Sequence, residues 1–282
     1  MPDRADAHIH LFDGGYQGGS LASRPGVMID EVALYAALAM EHRVARALVV
    51  GYEGEAWARG NNAHLAKLAA KHEWVAPVAF VDLLKAPDLS ALERLRGQGF
   101  VGLSLYVFDG SQESGLGEAP AAIWEWLVRN RWLVSVNSRG KHWSAWLPIL
   151  EKHPDLRLIA SHLGLPGRFA QPPARDVARE AMSGVLALAT FPGTRVKLSG
   201  FYAISDPPHG YPHPAAWPCV ALLKEAFGAK RLLWGSDFSP CLGHVTFPQT
   251  VDVLDHVPCL NADDRACIQG GNLLGLISEA GS

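Results

Sequence analysis

The chain has 282 residues, 49% of them hydrophobic and 19% charged, with a formal net charge of −3 at pH 7. No apolar run approaches the ~20 residues of a membrane span, and the weakly acidic balance lacks the basic footprint of a protein that binds nucleic acid or anionic membrane. Asp3, Arg4 and Asp6 stand where a signal peptide would need an apolar run, and the four cysteines (Cys219, Cys241, Cys259, Cys267) form no Cys-x-x-Cys pair, so a cytoplasmic protein with reduced thiols is expected.

In chain order, short runs of Val, Ile, Leu and Ala alternate with helix-patterned segments. Strands are expected over 4–10, 46–52, 75–81, 100–106, 133–137, 156–162, 195–200 and 232–237. Most are apolar on both faces, as parallel strands are when helices cover them outside and side chains fill the space within. Asp30 caps a periodic stretch ending at His42 and Arg43, and Asn62 reads as a cap after the second strand. Asp88 and Ser90 precede a helix that stops at Gly97, Pro120 opens one over 121–131, and Pro214 opens one ending at Gly228. Trp124, Trp126 and Trp132 read as core. Strict alternation with eight strands predicts a single-domain α/β fold, the (β/α)8 TIM barrel, over 1–282. No Gly-x-Gly-x-x-Gly or Walker A sequence supports a nucleotide-binding sheet. The Gly/Pro/aromatic-rich segments 11–26 and 205–218 follow the first and seventh strands, on the catalytic rim of such a barrel.

Four residues stand out by position. His8 and His10 end the first strand in Asp-Ala-His-Ile-His, His162 ends the sixth in Ala-Ser-His-Leu-Gly, and Asp237 ends the eighth in Leu-Leu-Trp-Gly-Ser-Asp. Residues i and i+2 of a strand share a face, so both imidazoles of the first strand point into the barrel mouth. Closing the barrel brings the other two tips beside them. Three imidazoles and a carboxylate suit Zn²⁺ or a similar divalent ion, with Asp237 placed to take a proton from water. Singly, each histidine would serve equally as a hydrogen-bonded rim residue, and Asp237 as a turn residue before Phe238-Ser239-Pro240. Their coincidence at strand tips favours function.

Asp-Ala-His-Ile-His-Leu-Phe-Asp (6–13), Ser-His-Leu-Gly-Leu-Pro (161–166), Val-Lys-Leu-Ser-Gly-Phe-Tyr (196–202), Leu-Leu-Trp-Gly-Ser-Asp (232–237) and Gly-Asn-Leu-Leu-Gly-Leu (271–276) together resemble the amidohydrolase superfamily, in its amidohydrolase-related branch. Within that branch the chain is most similar to the subgroup of 2-pyrone-4,6-dicarboxylate lactonase and sugar-acid lactonases. The resemblance implies a barrel that hydrolyses a lactone or a related ester or amide. It implies Asp237 as the base that activates water, His162 as its catalytic neighbour, and one divalent metal, zinc foremost, or none, held by His8, His10, His162 and Asp237. Several positions depart from the family pattern. The fourth strand lacks the Lys or Glu of two-metal members, and its Gly102-Leu103-Ser104 lacks an Arg. The fifth ends in Val136-Asn137-Ser138 without a His, Ser161 replaces an Asp, and Asp237-Phe238-Ser239-Pro240 lacks the His of Asp-Trp-Pro-His. These departures count against a two-metal site and against decarboxylation.

Arg139, Lys141 and Arg168 follow the fifth and sixth strands, where a cation would grip a substrate carboxylate. Tyr106, Tyr202 and Trp143 are placed to stack on a ring, with Asn137 beside them as a further substrate contact. The expected activity is opening of a small lactone of a sugar acid or an aromatic-derived acid. The alternatives are a metal-dependent amide hydrolase or decarboxylase, and a ligand-binding barrel without catalysis. The expected partner is a small-molecule substrate, with neither nucleic acid nor membrane; a homodimer is left open.

Overall fold

The structure is a computed structural model describing residues 3–18 and 30–280. Strands β1 (Arg4–Ile9), β2 (Val44–Val50), β3 (Val75–Phe80), β4 (Gly102–Val107), β5 (Leu133–Ser138), β6 (Arg157–Ala160), β7 (Arg195–Leu198) and β8 (Leu232–Trp234) form one parallel sheet in sequence order. The sheet closes just past β8. The Asp237 amide donates to the His8 carbonyl at 2.8 Å, the His10 amide donates to the Phe238 carbonyl, and Ile9 bridges to Phe238. The fold is the expected (β/α)8 barrel, and its last rungs are made by the residues singled out for chemistry.

Strands β6 and β8 end before the expected positions 162 and 237. His162 and Asp237 both adopt left-handed backbone conformations, φ +52° and +61°. A side-chain-bearing residue pays about 1–3 kcal/mol there. The turn lifts both side chains off the strand line and over the barrel mouth. In β1 the register with β2 shifts between Asp6 and Ile9, the stretch that contains His8.

Helix caps follow the sequence. Asp30 accepts from the Ala33 amide at 3.0 Å ahead of Glu31–Glu41, and Asp88 from Ala91 at 2.7 Å ahead of Leu89–Gly97. Ala121–Arg129 begins after Pro120, and Trp217–Phe227 stops at Gly228 with φ +69°. Asn62 is no cap. It lies inside the helix Asn61–Ala69, where its amide donates to the Phe80 carbonyl (2.9 Å) and accepts from the Phe80 amide (2.8 Å). Asn61 donates to the Leu11 carbonyl (2.8 Å) and accepts from the Tyr52 amide (3.1 Å). A pair of primary amides thus ties the ends of β1, β2 and β3 together, satisfying backbone groups where the ladder stops.

Most apolar side chains fill the layer between strands and helices, with Trp124, Trp126 and Trp132 among them. A smaller cluster joins Ala5, Leu48, Leu133 and Ile159 to Leu273, Leu276 and Ile277 of the helix Asn272–Ala280. Polar side chains occupy the barrel beyond this apolar plug. Of the expected rim segment 11–26, positions 19–26 lie outside the described residues. No helix among the described residues is long and apolar enough to cross a membrane.

Candidate active site

In β7 and the residue that follows it, Lys197 and Ser199 alternate with Val196 and Leu198, so the two polar side chains share the inward face. Lys197 is completely buried. Its ammonium nitrogen donates to Ser135 Oγ of β5 at 2.7 Å and lies 3.1 Å from His8 Nδ1. Ser161 Oγ is 3.4 Å from His8 Nδ1 as well. The other face of His8 looks toward the mouth, with Nε2 3.1 Å from His10 Nε2 and 3.6 Å from Asp237 Oδ1.

His10 Nδ1 sits 2.8 Å from the Val50 carbonyl. A carbonyl only accepts, so the His10 proton is on Nδ1 and the Nε2 lone pair faces the cluster. His162 Nδ1 is 3.0 Å from Ser199 Oγ and 3.9 Å from Asp237 Oδ2. The Tyr202 hydroxyl donates to Asp237 Oδ2 at 2.5 Å.

Burial dominates the electrostatics. It pushes the Asp237 carboxyl up to about 7, against the Tyr202 hydrogen bond and the Lys197 charge, which favour ionisation; the buried Asp6 carboxyl adds to the rise. Burial brings Lys197 down to about 7, although Asp237 and Asp6 oppose the shift. His10 falls to about 4 and His162 to about 3, and His8 lies well below its ordinary value, in each case chiefly by burial with Lys197 adding repulsion. At neutral pH the three imidazoles are therefore uncharged, the state in which imidazole ligates a metal or accepts a proton.

Two further carboxylates hold the frame. Asp6 accepts from the Ser236 amide (2.9 Å), the His8 amide (3.1 Å) and the Tyr35 hydroxyl (3.1 Å), joining β1 to the segment that carries Asp237. Glu31 accepts from the amides of Phe12 (2.9 Å) and Tyr16 (2.7 Å) and from the Ser239 hydroxyl.

Ligand atoms of His8, His162 and Asp237 lie within 4.8 Å of one another. His10, with Nε2 3.9 Å from Asp237 Oδ1 and its lone pair facing the cluster, stands next to this group. Imidazole nitrogens with one carboxylate form a donor set that fits a divalent ion of the zinc type; the His10 Nδ1–H bond to the Val50 carbonyl orients that ring from behind, and Ser199 fixes the His162 ring through Nδ1.

His10, His162 and Asp237 line a cavity of about 440 Å³ at the barrel mouth. Tyr106 and Asn137 line it as well, with Phe12, Tyr16, Tyr52 and Trp57 around them. Tyr202 is not in this wall; it holds Asp237 from the side. Arg139 and Arg168 are not in the wall either: the Arg139 guanidinium lies 5.6 Å over the Phe108 ring, and Arg168 Nε donates to the Ala203 carbonyl at 3.3 Å. Lys141 is exposed, and Trp143 is buried with its indole N–H on the Gly164 carbonyl at 2.8 Å.

Lys197, Ser199, Asp6, Glu31 and the aromatic wall apart from Tyr106 are not among the candidates that the sequence offers. A lysine inside an otherwise apolar strand was the signal for Lys197. Tyr52 and Phe80 were signalled by their place at the ends of the two strands that precede the one carrying Tyr106.

The amidohydrolase family model matches residues 5–272. A curated L-fucono-1,5-lactonase of Burkholderia ambifaria is 33% identical over 110 residues, 37% of this chain and 34% of that protein, so the match spans well under two thirds of the relative's length. Among solved structures, a Burkholderia multivorans amidohydrolase with bound zinc superposes with TM-score 0.79 at 22% identity, covering 98% of this chain and 99% of that one. A probable 2-pyrone-4,6-dicarboxylic acid hydrolase of Acinetobacter baumannii, with citric acid bound, gives TM-score 0.72 at 18% identity over 98% and 100%. At these identities the structural likeness is one of fold.

Proposed function

The chain belongs to the amidohydrolase family of hydrolases, and from that premise we propose that it opens a small lactone with water activated by Asp237. The observation that carries this reading is the position of the Asp237 carboxylate. It sits 4% exposed on the cavity wall, fixed by Tyr202 on Oδ2, with Oδ1 toward His8 and His10.

With Oδ2 engaged by the phenol, Oδ1 accepts the proton of a water held among the imidazoles. The water oxygen attacks the lactone carbonyl carbon, and the carbonyl oxygen becomes an oxyanion. Collapse breaks the ring C–O bond, and Asp237 returns its proton to the leaving ring oxygen, giving the hydroxy acid. His10, protonated on Nδ1 and bonded to Val50, offers the site a lone pair rather than a donor. Lys197 behind His8 contributes positive potential to the end of the cavity where the oxyanion forms. A divalent ion held by His8, His162 and Asp237 would supply Lewis acidity to a carbonyl oxygen and acidify water.

The test is proton release in weak buffer from a panel of sugar-acid, pyrone and muconolactone-type lactones. Opening of one of them that disappears in Asp237→Asn is expected. Failure to open any of them, with Zn²⁺ or Mn²⁺ supplied, would overturn the reading.

A further inference from the structure

Most of the side chains that line the cavity are aromatic or imidazole rings. Phe12 and Trp57 meet edge to face at 4.8 Å, Tyr16 and Trp57 at 5.4 Å, and Tyr52 and Tyr106 pack at 5.0 Å. Among the described residues no Lys or Arg lines the wall, whose ionisable carboxylates are Asp237 in the depth and Glu55. Glu55 is held in place, since the Trp57 indole N–H donates to its Oε2 at 2.6 Å. One acceptor in the wall is unspent: Asn137 Oδ1 is buried and has no hydrogen-bond partner.

We infer that this cavity selects an uncharged, hydroxyl-bearing lactone ring and discriminates against lactones that carry a carboxylate. The inference rests on the lactonase reading of the same site. A carboxylate entering here would shed its hydration without a guanidinium or ammonium among the described wall residues to replace it, and it would face the buried Asp237 carboxylate, with Glu55 at the exposed rim adding like charge. An uncharged ring lays its apolar face on the aromatic side chains. A ring hydroxyl satisfies Asn137 Oδ1, a buried acceptor of the kind that native structures seldom leave unpaired. The volume, about 440 Å³, accommodates a single substituted ring.

The experiment uses a matched pair, an aldono-1,4-lactone and the aldaro-1,4-lactone in which the terminal CH₂OH is a carboxylate. kcat/KM is measured for both. Calorimetric affinity is measured separately for the corresponding 1,4-anhydro ethers, which have no carbonyl to hydrolyse. The uncharged member is expected to lead by about tenfold or more in both readouts, equivalent to about 1.4 kcal/mol. Glu55→Gln is expected to narrow the ratio. Equal or better use of the carboxylated member would overturn the inference, and loss of that preference in Arg139→Ala would identify the cation the cavity wall lacks. If neither lactone is opened yet the uncharged ether binds more tightly, the charge selection stands and the lactonase reading is left to the pyrone and muconolactone members of the panel.

Discussion

Tyr202 and Asp237 share a short hydrogen bond, the phenol donating to Oδ2 at 2.5 Å, while the same ring stacks on His244 at 4.7 Å. The bond favours the carboxylate form of Asp237, whose pKa burial has carried up to about 7. Removing the hydroxyl in Tyr202→Phe keeps the stack and lets the Asp237 pKa rise further. Because the base works ionised, the acid limb of kcat/KM against pH should move to higher pH. One unit of movement costs about tenfold in rate on that limb. A pH profile superimposable on the wild type would show that the phenol does not tune the base.

Zinc affinity gives a second test, independent of turnover. Calorimetry with Zn²⁺ should show binding that is lost in His162→Ala and in Asp237→Asn, since both ligand atoms belong to the compact group with His8. Ser199→Ala removes only the hydroxyl that fixes the His162 ring through Nδ1 and should weaken binding by about 10–100-fold. His142, paired with Glu113 at 2.7 Å away from the cluster, serves as control: His142→Ala should bind as the wild type does. Zinc affinity unaffected by His162→Ala would place the ion elsewhere.

These tests turn on residues of unequal visibility in the sequence. His8, His10, His162 and Asp237 were legible because each closes an apolar strand run, and the barrel rule then converges them. The eight strands and the main helix caps were legible for the same reason, periodicity plus short-range capping chemistry. The left-handed turns at His162 and Asp237 were not, because nothing in Ser-His-Leu or Ser-Asp-Phe demands a positive φ; the closed barrel imposes it. Arg139 and Arg168 were assigned to substrate from their place after β5 and β6, yet loop side chains are steered by local contacts that strand periodicity does not encode. Glu31 was hidden beside the N-cap Asp30. The reach of its carboxylate to Ser239 spans 208 positions of sequence.

Lys197 makes a prediction about stability and pH. Its pKa falls from an ordinary value of 10.5 to about 7 in the fold, so between pH 7 and 10.5 the unfolded chain binds the extra proton. Stability from this group therefore rises with pH across that window, is complete above 10.5, and is lost as pH falls through 7. In Lys197→Met the contribution is gone. The difference in unfolding free energy between wild type and variant, from urea titrations at pH 7 and pH 10, should move in favour of the wild type at the higher pH. A difference that stays constant would mean that Lys197 titrates normally inside the barrel.

Glu31 carries the last prediction, because one carboxylate links three pieces of the site. Oε2 accepts from the Phe12 amide, and Oε1 accepts from the Tyr16 amide and the Ser239 hydroxyl. Phe12 and Tyr16 belong to the aromatic wall, and Ser239 lies two positions beyond Asp237. In Glu31→Gln one oxygen becomes an NH₂ that can only donate, so a buried N–H faces another donor. Leaving such a group unsatisfied costs about 1–3 kcal/mol, which for a domain of this size lowers Tm by about 2–4 °C per kcal/mol. The loosened wall should appear in KM more than in kcat, because Asp237 keeps its bond to Tyr202 and its backbone rung to His8. Wild-type Tm and KM in this variant would mean that the first loop holds its place without the Glu31 brace, and a fall confined to kcat would move its role from the aromatic wall to the base.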